Sequence, residues 1–119
     1  MKKTLVIGAS LNPIRYSNMA IKKLVAYHHP VVAVGLRVGV VDGVTIVKEK
    51  KSFKDIDTVT LYLNEKRQEE YFDYILTLKP NRVIFNPGTE NPEFYRVLDK
   101  NDISYEAACT LVLLSTSQY

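Results

Sequence analysis

Short, unbroken apolar runs recur along this chain, and between them lie stretches whose apolar residues return with helical spacing. Leu5-Val6-Ile7, Val31 to Val34 and Val83-Ile84-Phe85 within Arg82 to Phe85 have the length of strands buried on both faces, as in a parallel sheet. Asp57 to Leu63 alternates Val59, Leu61 and Leu63 with Thr58, Thr60 and Tyr62, which predicts a third parallel strand, and Ile103 to Glu106 predicts a fifth. Helices are expected over Asn18 to Tyr27, with Ser17 as N-cap, and over Glu65 to Leu78 behind Asn64. A third runs from Pro92 to Lys100 with Asn91 as cap and Pro92 at the first helical position. Asp42-Gly43 sits between short Val-rich pieces and predicts a hairpin excursion or edge ribbon within Val40 to Val47. Ala107 to Leu114 is apolar without a deciding period.

This alternation predicts a three-layer α/β domain whose five-stranded parallel sheet has the order 3-2-1-4-5. With 119 residues and 46% hydrophobic content, the chain can bury one core, so residues 1–119 are expected to form a single domain. A net charge of +3 is mild, and basic residues alternate with acidic ones except near Lys48 to Lys51, which suits a solvated loop. Nucleic acid is therefore not an expected partner, whereas an anionic small molecule is. The lone cysteine, Cys109, excludes an internal disulfide and is read as a small buried residue. No run is long enough to cross a membrane, and Leu5 to Ile7 leads into Gly8 rather than a signal-peptide cleavage region, so a cytoplasmic location is expected. His28 and His29 are adjacent, their side chains diverge, and no cysteine or carboxylate cluster accompanies them, so no metal site is expected.

The chemistry concentrates in Thr4 to Ala20. A strand runs into Gly8 and a helix follows shortly after, with Ser10, Asn12, Arg15 and Ser17 between. Glycine permits close backbone approach, Ser10 and Asn12 can donate hydrogen bonds, Arg15 adds a fixed charge, and a helix start presents unpaired N–H groups. Together they suit a phosphate or diphosphate. One glycine after a strand would by itself require no ligand, and Asn12-Pro13 also suits a turn.

At the end of the second strand stand Gly35, Leu36 and Arg37, where a fold that grips an unmodified ribose usually has Asp or Glu. NAD is disfavoured. Arginine there suits a ribose bearing an additional phosphate, as in NADP or coenzyme A, although a plain surface-loop role for Arg37 fits the same position. Asn86-Pro87-Gly88-Thr89-Glu90-Asn91 forms a second candidate loop that also leads into a helix, and the expected strand order would set it beside the first.

Gly8-Ala9-Ser10 with Asn12-Pro13 and Arg15-x-Ser17, the Val-rich second strand, Asn86 to Asn91 and Ala108-Cys109-Thr110-Leu111-Val112 together resemble the small bacterial CoA-binding domain proteins. These are similar in turn to the N-terminal CoA-binding domain of the succinyl-CoA synthetase α subunit. The resemblance spans nearly the whole chain and implies a Rossmann-like fold that binds coenzyme A or an acyl-CoA. It implies that Gly8, Ala9 and Ser10 line the diphosphate, that Asn12, Arg15 and Ser17 hold or cover it, and that Gly35, Leu36 and Arg37 meet the ribose phosphate and adenine. The adenosine end would lie near the second and third strand termini, and Asn86, Pro87 and Gly88 would complete the site. Two departures stand out: many relatives carry Asn-Pro in place of Gly35-Leu36, and an aromatic-x-Gln-x-Gly pattern in place of Phe85-Asn86-Pro87-Gly88.

No paired carboxylates, Ser/His/Asp set or Cys/His pair is brought together by the expected topology, so a binding module is expected rather than an enzyme. Such a module could work alone, as a homo-oligomer or beside a protein partner. An NADP-dependent oxidoreductase domain and a ligand-free interaction protein are the other readings.

Overall fold

The computed structural model describes residues 1–119. The first apolar run becomes β1 (Thr4–Ala9), whose Leu5, Val6 and Ile7 are fully buried. Successive side chains point to opposite faces, so β1 feeds two cores. Leu5 and Ile7 join Val59, Leu61, Ile75, Phe85 and Phe94 on one face, while Val6 and Ala9 join Ile21, Leu24, Ile46 and Leu114 on the other.

The remaining strands are β2 (Val31–Gly35), β3 (Gly39–Val41), β4 (Val44–Val47), β5 (Thr58–Leu61), β6 (Arg82–Phe85) and β7 (Ser104–Ala107). They form one seven-stranded sheet in the order β3-β4-β2-β1-β5-β6-β7. All neighbours are parallel except β3 and β4, a hairpin whose turn residues Asp42 and Gly43 have φ of 47° and 80°. Positive φ at both positions is what a two-residue turn of this hand requires.

The three-layer, Rossmann-like α/β class is as expected, but two details differ. The sheet has seven strands, not five. The third long strand, β5, does not extend the β2 side as the order 3-2-1-4-5 demands; it pairs with β1 on the opposite side, Val59 facing Leu5. The hairpin is the cause. β4 pairs with β2 through Ala33↔Ile46 and Val34↔Val47 and so occupies the edge that the third strand would have taken. Segment 48–57 then carries the chain to the far side of β1 without a helix. The sideways step past β2 and β1 is about 14 Å at the usual strand spacing, well within the reach of an extended segment of that length. Phe53 and Ile56 anchor it in the core.

Helix α1 spans Tyr16–Ala26, two residues earlier than the apolar spacing indicates, so Ser17 lies inside the helix and Arg15 is the N-cap. The expected second helix is broken into α2 (Glu65–Gln68), a 3-10 turn (Glu69–Tyr71) and α3 (Phe72–Leu78). The break follows Gln68, whose buried amide donates to the carbonyls of Leu63 and Thr89. Asn64 and Asn91 cap α2 and α4 (Pro92–Lys100) as their sequence positions indicate. The apolar tail resolves as α5 (Thr110–Ser115), with Cys109 only half-buried at its N-cap. No helix is long and apolar enough to cross a membrane.

Candidate functional site

The floor of the site is set by two glycines at strand ends. Gly8 has φ of +89°, and a Cβ there would stand 2.9 Å from the main-chain carbonyl of Tyr62. At Gly35 a Cβ would meet the Ala9 oxygen at 2.3 Å. Both are thus required by backbone meeting backbone. They bring the ends of β2, β1 and β5 together beneath a cleft of about 730 Å³ at the carboxyl edge of the sheet.

Above this floor the β1–α1 loop is held by its own polar groups. The Asn12 N–H donates to Ser10 Oγ at 3.1 Å, and the Ile14 N–H donates to Asn12 Oδ1 at 3.1 Å. From inside α1, Asn18 Nδ2 donates to the Ser10 carbonyl at 2.9 Å, tying the loop to the helix it precedes. Arg15 caps α1 through no side-chain bond, and the first turn contains no acidic residue. The N–H groups of Tyr16 and Ser17 therefore have no protein acceptor and leave an unneutralised positive helix end beside the loop.

Of the residues singled out in the sequence, Gly8, Ala9, Ser10, Asn12, Arg15 and Ser17 line the cleft from the β1 side. Gly35, Leu36 and Arg37 line it from β2, and Pro87 and Gly88 from β6. Asn86 does not. It is 2% exposed, and its amide is spent inside the protein: Nδ2 donates to Thr60 Oγ1 and to the Leu61 carbonyl, and Oδ1 accepts from the Thr110 N–H. Asn86 brackets β5, β6 and α5, a structural duty that its loop position concealed.

The opposite wall was not legible in advance. Tyr62, Leu63, Asn64, Arg67 and Tyr71 line it, with Thr89 beside Gly88. Apart from Thr89, which follows β6, they belong to the segment after β5, from its turn through α2 to the 3-10 turn, and they reach the cleft because β5 lies next to β1; the first and fourth loops are separated by this strand rather than adjacent. Burial pushes the Tyr62 phenol up to about 12, against the opposing pull of the Thr110 and Thr60 hydroxyls, so it stays neutral at physiological pH.

The charge pattern is one-sided. Arg15, Arg37 and Arg67 line the cleft, and no Asp or Glu does. The only ion pair in the chain joins Arg82 to Glu106 elsewhere, so all three guanidinium groups lack a carboxylate partner. No group of three His, Cys, Asp or Glu side chains is placed to hold a metal ion.

Fold and cleft define a Rossmann-like α/β domain with a cationic, carboxylate-free crevice where the sheet's connections diverge to either side of β1. Residues 2–115 match the model of the CoA binding domain family, and the chain belongs to that family. An uncharacterized protein of known crystal structure is 45% identical, with a TM-score of 0.97 over 100% of this chain and 98% of that one. A hypothetical protein from Pyrococcus horikoshii OT3 is 24% identical with a TM-score of 0.86, covering 97% of this chain and 82% of its own. A Thermus thermophilus protein is 20% identical with a TM-score of 0.86, covering 99% and 90% respectively. These last two share the fold. No curated protein matches the chain.

Proposed function

We propose that this domain is a stand-alone module that binds coenzyme A or an acyl-CoA in the cleft and performs no chemistry on it. The observation that carries the proposal is the set of unpaired cations in a crevice without a carboxylate, in a chain of the CoA binding domain family. The diphosphate sits on the β1–α1 loop, where the Tyr16 and Ser17 N–H groups and Arg15 meet its charge. Arg37, with Gly35 and Leu36 at the end of β2, takes the phosphorylated ribose and the adenine. The pantetheine arm then runs along the wall of β5 and β6 towards Pro87 and Gly88. A lone cysteine suits a reducing compartment, and the cytoplasm is the proposed location.

Thermal unfolding with coenzyme A, dephospho-CoA, NADPH and NADH tests this reading. A ligand at about a hundredfold excess over its Kd adds roughly 2.7 kcal/mol of stability, enough for a clear shift in Tm. Coenzyme A should give the largest shift and NADH the smallest. A larger shift with NADPH would turn the proposal into an NADP-binding domain, and no shift with any nucleotide would leave an interaction protein.

A further inference from the structure

The proposed diphosphate seat uses one wall of the cleft, yet a third guanidinium stands on the other. Arg67 lies in α2, directly after the β5 turn. That turn is the immediate neighbour of the seat: Tyr62 in it touches Gly8, with no room for a single carbon between them. Arg67 uses its own N–H to bond Asn64 Oδ1, but its guanidinium makes no hydrogen bond or ion pair. Glu65, Glu69 and Glu70 are its near neighbours in sequence, and none pairs with it. An arginine required only for solubility would not need to face a cleft that holds two other unpaired arginines and no carboxylate.

We propose that Arg67 is a second cationic jaw on the diphosphate, closing from the α2 wall opposite Arg15. This rests on the coenzyme A reading and deepens it. On that reading the diphosphate lies on the loop that adjoins the β5 turn, it carries two negative charges, and one helix end with one arginine leaves part of that charge facing the opposite wall. A guanidinium fork suits paired phosphate oxygens, and no Asp or Glu lines the cleft to compete for it. The arrangement selects ligands with a bridging diphosphate irrespective of what the thioester carries.

Isothermal titration of wild type, Arg67→Ala and Arg67→Glu with coenzyme A, dephospho-CoA, acetyl-CoA and malonyl-CoA tests the proposal. Arg67→Ala should weaken all four by a similar factor, about tenfold, and should flatten the salt dependence of binding; Arg67→Glu should weaken them further. Ligand-free melting of both variants should match wild type, because the guanidinium has no protein partner to lose. A loss confined to ligands with the ribose phosphate would make Arg67 a partner of Arg37 and overturn the jaw. So would a loss confined to malonyl-CoA, which would make Arg67 a reader of acyl carboxylates, and so would a change below about twofold throughout. If wild type itself binds none of the four, the coenzyme A reading falls with it; if wild type binds and the variants bind equally well, only the jaw falls.

Discussion

The two ends of the sheet carry similar side chains and use them in opposite ways. At the amino edge, Arg82 is satisfied by its own protein: Nε donates to Thr58 Oγ1 at 3.3 Å, Nη1 lies 3.8 Å from Glu106, and the guanidinium stacks 4.6 Å over the Tyr119 ring. Asp57 accepts from Thr58 and Asn81, and the Thr4 hydroxyl meets the Tyr119 hydroxyl at 2.6 Å. At the carboxyl edge, Arg15, Arg37 and Arg67 have no such partners, and the first N–H groups of α1 are unanswered. A charge that the fold has already neutralised is part of the architecture. A charge left open in a cleft is available to a ligand, and it adds little to stability until that ligand arrives.

The floor of the cleft should be its least tolerant part: Gly8→Ala and Gly35→Ala each force a carbon into main-chain atoms, and Gly8 also needs positive φ. Each should lower stability by about 3 kcal/mol in denaturant unfolding, with ligand binding lost through the distorted loop. A change below about 1 kcal/mol would show that the strand ends can separate at little cost.

Next in size, Arg15→Ala and Arg37→Ala should each weaken coenzyme A binding by roughly 1.5 to 3 kcal/mol while leaving the ligand-free Tm unchanged. The Arg37 effect should disappear against dephospho-CoA. Equal losses for both forms of the coenzyme would move Arg37 away from the ribose phosphate. Arg82→Ala at the other end should do the reverse, lowering stability by about 1 to 2 kcal/mol with no change in ligand affinity per folded molecule. Were Arg82→Ala to weaken binding as much as Arg15→Ala, the division between the two ends would be wrong.

The smallest effect is in the pH dependence of the amino edge. His29 is held below its usual 6.5, first by desolvation and then by nearby positive charge, and its Nδ1 accepts the Lys2 N–H at 3.0 Å. Above 6.5 it is neutral in both folded and unfolded chains and favours neither. Below that value the unfolded chain gains a proton that the folded one resists, so stability falls as the pH drops towards the folded-state pKa. Urea titrations of wild type and His29→Gln at neutral and mildly acid pH should show part of the acid sensitivity removed by the substitution, and identical slopes would exclude His29 as its source.

Several parts of this molecule are legible in its residues because they depend on near neighbours. The apolar runs of β1, β2 and β6 need only hydrophobicity and length. Asn64 and Asn91 cap helices through bonds to N–H groups three residues on, and Asp42-Gly43 supplies the φ values that its own turn requires. The loop from Gly8 to Ser17 stands out as a candidate anion seat because its polar groups are crowded into one short stretch. Ser17 lies inside α1 although its position suggests a cap, because a serine before an apolar stripe looks the same whether or not the helix has already begun.

What the residues could not disclose was decided by contacts between distant segments. The β3–β4 hairpin carries no mark of the edge it will occupy, yet by docking on β2 it sends β5 to the far side of β1. That single choice turns Arg67 and Tyr71 towards the cleft and leaves Asn86 as a buried bracket. Local pattern, set by side-chain size, polarity and the few bonds within a turn, determined which elements form and which loop gathers the polar groups of the candidate site. Strand order, and with it the whole second wall of the site, rests on which strands pair across the sheet, contacts between residues far apart in the chain that only the folded molecule displays.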